Sequence, residues 1–143
     1  MQTRMIRDLL FLFLFVFLAC GTPGLKVPPT TELARMASDD TLMAELILRN
    51  FYFEPSRIET EVGKPLKLTL KKRSGFLGII PHDFNLIAPD ADLNVVEQKV
   101  PGGKGVTITI IPTKVGEYKF FCGKDGHEKK GMVGFLIVKE QLK

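Results

Sequence analysis

Toward its carboxyl end the chain reads Tyr118-Lys-Phe-Phe-Cys-Gly-Lys-Asp-Gly-His-Glu-Lys-Lys-Gly-Met-Val-Gly134, which sets three metal-capable side chains in one short stretch. Four residues separate Cys122 from His127, and four more separate His127 from Met132. Glycines at 123, 126 and 131 let such a loop curl tightly. A tight curl can aim a thiolate, an imidazole and a thioether at one point. A second imidazole must arrive from another part of the chain, and the sequence has only two histidines, so His82 is the available donor. One thiolate, two imidazoles and a weak thioether form the donor set of a mononuclear copper site. Cuprous copper favours soft sulfur, whereas cupric copper favours nitrogen and tetragonal arrangements. A trigonal compromise held by the protein suits both valences, so little rearrangement accompanies the electron and exchange is fast. The bland alternatives are that Cys122 is an inert core thiol, that His82 caps a strand, and that Met132 simply packs.

These side chains need a frame that places them. From Thr41 onward, short segments rich in β-branched and aromatic residues alternate with Gly, Pro, Asn and Asp, the pattern of an all-β sandwich of about seven or eight strands. Leu66, Leu68 and Leu70 alternate with Lys67, Thr69 and Lys71, giving a strand with one wet face. Val106, Ile108 and Ile110 alternate with Thr107 and Thr109 in the same way. Further strands are expected at 44–49, 57–62, 82–88, 94–100 and 133–138. In the strand 117–122 the two-residue period puts Tyr118, Phe120 and Cys122 on one face, which turns Cys122 toward the core. His82 follows Pro81 and opens the strand 82–88.

The amino end has a different character. Arg4 and Arg7 precede an apolar run from Leu9 to Leu18, followed by Ala19, Cys20 and Gly21, the order of a secretory signal. The run is shorter than the roughly 20 apolar residues of a membrane span, so a retained transmembrane helix is the weaker reading. Residues 1–19 are therefore expected to be a signal peptide, 20–40 a tether and 41–143 the folded domain. Thr31 to Ser38 has room for one or two helical turns. Phe17-Leu18-Ala19-Cys20 resembles a bacterial lipobox with Phe17 where leucine is usual, and the resemblance implies lipid on Cys20. A plain exported cysteine is the alternative. A lipidated Cys20 leaves Cys122 as the lone thiol of an exported chain, which invites a metallic explanation.

With 143 residues, 45% of them hydrophobic and 25% charged, the chain fits one ordinary folded domain. Its formal net charge of +4 falls well short of a nucleic-acid-binding stripe.

The stretch from Val115 through Met132 resembles the copper loop of the cupredoxin family of type 1 blue copper proteins, which includes plastocyanin, azurin, rusticyanin and auracyanin. The likeness covers roughly residues 44–139, and the ligand spacing is more similar to rusticyanin and auracyanin than to plastocyanin. It implies a Greek-key sandwich, one copper, Cys122, His82 and His127 as equatorial ligands, and Met132 as the long axial ligand. It also implies an electron carrier without a substrate-turnover site. A copper carrier or sensor is the alternative, although Met36, Met43 and Met132 are scattered and form no cluster. Asp83 stands where relatives often carry asparagine. Transient protein redox partners such as a cytochrome or a membrane oxidoreductase are expected, together with a membrane reached through the lipid, no nucleic acid, and a monomeric chain facing the periplasm or cell exterior. Phe76, Leu77, Ile79, Ile80 and Pro81 are candidates for a docking patch or for ordinary packing. Lys124, Lys129 and Lys130 are expected to be solvated, with steering of an acidic partner as the sharper alternative.

Overall fold

The structure is a computed structural model that describes residues 30–37, 40–72 and 80–141. The expected signal peptide, Cys20 and the first part of the tether lie outside the described residues, as do Phe76, Leu77 and Ile79.

Two mixed sheets form the sandwich. The first holds six strands in the order β1 (Thr31–Leu33), β5 (Arg57–Glu61), β11 (Val133–Lys139), β10 (Gly116–Phe121), β7 (Asp83–Ala88) and β8 (Leu93–Lys99). The second holds β2 (Arg35–Met36), β3 (Leu42–Arg49), β6 (Leu66–Lys72) and β9 (Val106–Ile110), with β4 (Tyr52–Glu54) paired to β3. All the strands expected from the sequence are present, within a residue or two at their ends. The additional ones are the short β1, β2 and β4. Thr31 to Met36 has no helical turn. Its backbone is spent on two sheets instead: β1 pairs in parallel with β5, and β2 pairs antiparallel with β3. The end of the segment expected to be tether therefore closes an edge of each sheet, where unpaired strand groups would otherwise be left open.

Alternation builds the interior as the sequence indicates. Leu66, Leu68 and Leu70 of β6 are buried, and so are Leu42, Ala44, Leu46 and Leu48 of the neighbouring β3. Phe53 from the second sheet meets Phe84 and Phe120 from the first. Its ring stands edge-on to Phe120 at 5.1 Å and to Phe84 at 6.4 Å, the T-shaped geometry that aromatic quadrupoles favour. Gly134 makes this junction possible, since a Cβ there would lie 2.3 Å from the Phe120 ring and 2.6 Å from the Ser56 carbonyl oxygen.

The sheet order decides which loop ends are neighbours. β10 and β7 run antiparallel, with Phe121 opposite Asn85 and Phe120 opposite Leu86. The carboxyl end of β10 thus lies beside the amino end of β7. Cys122 and His82, forty residues apart in sequence, emerge at the same end of the sandwich.

Candidate metal centre

The two-residue period expected for β10 holds: Tyr118, Phe120 and Cys122 all face the interior. Beyond Cys122 the chain folds back through a compact loop. His127 N–H donates to the Lys124 carbonyl at 3.0 Å, and Gly126 and Gly131 have φ of 74° and 97°, values that suit glycine. Met132 closes the loop twice, because its N–H donates to the His127 carbonyl at 3.0 Å and its own carbonyl accepts from Cys122 N–H at 3.2 Å. Its side chain is fully buried.

Cys122 Sγ lies 3.3 Å from His127 Nδ1 and 3.9 Å from His82 Nδ1. The three ligand atoms fall within 4.8 Å of one another, and all three residues are buried. Imidazole and thiolate bond lengths of about 2.0–2.3 Å, as found at zinc, imply ligand separations of roughly 3.5–4 Å around a trigonal metal ion. The observed spacings bracket that range, so one small ion fits between the ligands.

The protonation states agree with a ligand role. Burial pushes His82 down to about 4, helped by the nearby His127 and Lys72 and opposed by Asp83. Burial and then Lys130 lower His127 as well. Both imidazoles are therefore neutral near pH 7, with lone pairs free for a metal. Burial raises the Cys122 thiol, while hydrogen bonds from the backbone N–H groups of Asp83 and Lys124 work in the thiolate's favour. A cation in the site would supply the missing compensation, displacing the thiol proton as it binds.

Asp83, a departure from relatives in the sequence, is the hub that joins the two ligand-bearing segments. Its Oδ1 accepts from Gly123 N–H at 2.6 Å and from Asn85 Nδ2 at 3.1 Å. Its Oδ2 pairs with Lys124 Nζ at 3.2 Å. The residues directly after His82 and directly after Cys122 are thereby tied together. Gly123 permits the approach: a Cβ there would sit 2.9 Å from Asn85 Nδ2. Asn85 Oδ1 in turn accepts the N–H of Glu97 at 2.7 Å, where the β7–β8 register shifts between Phe84 and Leu86. Bulges of this kind commonly re-aim side chains beside functional sites.

Two features of the site escape sequence reasoning. Asn85 had a weak signal, as the second polar residue at a two-residue spacing in the otherwise apolar β7. Phe51 had none; its ring meets His127 edge-on at 5.0 Å from the other sheet's β3–β4 turn. Of the three loop lysines, Lys129 and Lys130 are exposed as expected, Lys130 also lying over the Phe51 ring, while Lys124 is half-buried and paired with Asp83. Of the segment offered for a docking patch or for ordinary packing, the described residues are Ile80, half-buried, and Pro81, exposed.

Comparison with known proteins gives a consistent result. A family model described as a cupredoxin-like domain matches residues 10–138. Chloroplastic plastocyanin B of Populus nigra is 27% identical over 122 residues, covering 80% of this chain and 70% of the plastocyanin. Among solved structures, dithionite-reduced auracyanin from Roseiflexus castenholzii superposes with a TM-score of 0.57 at 19% identity, covering 68% of this chain and 96% of the auracyanin. The metal-binding domain of the Streptococcus pneumoniae D39 Cu(I)-exporting P-type ATPase CopA gives 0.56 at 14% identity, covering 80% of this chain and all (100%) of that domain.

Proposed function

The chain belongs to the cupredoxin-like family, and from that premise we propose that it is a mononuclear type 1 copper protein that carries single electrons between redox partners outside the cytoplasm. The observation that supports this reading most directly is the buried, preassembled group of His82, Cys122 and His127. Copper supplies the one-electron couple; the protein supplies a site that need not move when the valence changes. His82 and His127 present neutral Nδ1 atoms, and Cys122 presents sulfur with two backbone N–H groups directed at it. Met132, buried and tied by its backbone to Cys122 and His127, would supply the thioether. Asp83 fixes the separation of the two ligand segments through the Gly123 N–H.

The signal-like amino end and the lipobox-like residues before Cys20 support an exported, membrane-attached protein that meets its partners transiently. A role as carrier rather than enzyme accords with a donor set of three buried ligands and one thioether, all of them committed to a single ion.

Titrating the purified protein with cupric ion tests the proposal. An intense blue absorption that saturates at one copper per chain is expected, bleached reversibly by ascorbate and missing from Cys122→Ala. Uptake without the blue band would refute a type 1 site. Rapid loss of copper to a weak chelator would favour delivery of the ion over electron transfer.

A further inference from the structure

We infer that Phe51 is a positioning residue for the metal centre, holding the His127 imidazole in its ligating orientation whether or not an ion is bound. The inference rests on the copper reading above and extends it to a residue outside the expected ligand set.

Phe51 occupies the second position of the two-residue turn Asn50–Phe51, since Arg49 pairs with Tyr52. Its φ is 65°. A turn with positive φ at that position normally takes glycine or asparagine, because a Cβ is crowded there and a bulky side chain makes it a true outlier. Strain of this sort persists where the surroundings demand it. The demand is visible in what the ring touches. The Phe51 and His127 ring centroids lie 5.0 Å apart at an interplanar angle of 84°. The Lys130 ammonium lies 4.2 Å from the Phe51 ring centroid. His127 and Lys130 belong to one loop, and Phe51 comes from the opposite sheet, so the loop grips the ring by two different side chains. Cation–π attraction and the edge-on contact then resist the swing that would carry His127 away from Cys122. An imidazole held against this ring stays put as ligand bonds lengthen or shorten.

The test compares wild type, Phe51→Gly, Phe51→Tyr and Lys130→Gln. Glycine removes the ring and relieves the left-handed strain, so the metal-free protein should melt within a few degrees of wild type. Copper uptake by wild type checks the underlying reading by itself. Given uptake, release of copper to excess chelator should be about two- to ten-fold faster in Phe51→Gly, as expected for loss of one aromatic pair. Lys130→Gln should show a smaller increase, and Phe51→Tyr should keep the wild-type rate. In the metal-free proteins, the His127 ring protons of wild type should carry a ring-current shift and a single orientation, both lost in Phe51→Gly. Release rates equal in wild type and Phe51→Gly would overturn the inference. So would a metal-free wild type whose His127 already samples several orientations, a result that stands even if Phe51→Gly fails to fold.

Discussion

The metal end of the sandwich and the remainder of its interior are built from opposite materials. Around the Phe53, Phe84 and Phe120 rings and on toward Tyr118 the filling is apolar, and the few polar groups are neutral: Tyr118 donates its hydroxyl hydrogen to the Lys114 carbonyl at 3.1 Å, and Thr41 and Thr60 are the buried hydroxyls. At the metal end a carboxylate, an amide and two imidazoles are buried together. Burying polar and charged groups is costly unless each is paired, and here Asp83 is paired across the ligand segments with Gly123 and Lys124, while Asn85 is paired with Asp83 and with Glu97 of β8. The Asp83 carboxylate is met by two N–H donors and an ammonium, of which the Gly123 N–H and the Lys124 ammonium remain only while the β7 and β10 ends stay together. The contrast teaches that one region stabilises the fold while the other spends stability to keep a site in order.

Four measurements break or sharpen that contrast, with stability read on the metal-free protein. Phe120→Ala, at the junction of the sheets, should lower unfolding free energy by about 3–5 kcal/mol in urea titrations, while any protein that remains folded still binds copper. A loss near 1 kcal/mol would mean that the aromatic junction is not the main apolar support.

Acid should strike the metal end next. His82 has a folded value of about 4 against an ordinary 6.5, so the unfolded chain takes up its proton first. Its contribution is fully present above about pH 6.5 and disappears as pH falls toward 4, a loss on the order of 3 kcal/mol. His127, lowered in the same direction, adds to it. Urea unfolding at pH 7 and pH 4 measures the loss. His82→Gln should flatten the dependence, and an unchanged slope in that variant would assign the acid sensitivity elsewhere.

Asp83→Ala leaves the Gly123 N–H and the Asn85 amide without their acceptor, which should cost about 1–3 kcal/mol. Copper binding should suffer with stability, because the same carboxylate spaces the ligand segments. Asp83→Asn keeps an acceptor for Gly123 and should recover much of both. If the alanine variant lost stability but kept the wild-type copper spectrum and affinity, the carboxylate would support only the fold.

The smallest effect belongs to the far region. Tyr118→Phe removes a neutral hydrogen bond and should lower stability by about 1 kcal/mol, with no change in the copper absorption. A spectral change there would show that the two regions are coupled.

The loop from Cys122 to Met132 was legible because its candidate ligands are local: three donor types at short spacing among glycines limit what the segment can do. His82 was legible by inventory, as the one remaining imidazole. The strands followed from strict alternation, as in β6, where the apolar and polar faces separate residue by residue. The edge strands β1 and β2 were not legible. Two or three residues carry too little pattern to show a period, and these strands exist because open edges were there to pair with.

Composition, spacing and period by themselves determined the sheet-forming segments, the inward direction of Cys122 and the candidate donors, since each depends only on residue type and the two-residue repeat of a strand. The tertiary structure alone decided that β7 lies beside β10, that Asp83 reaches Gly123, and that a phenylalanine from the opposite sheet bears on His127. Those contacts join residues 34 or more positions apart, and no local rule of the chain specifies which distant backbone will arrive against which.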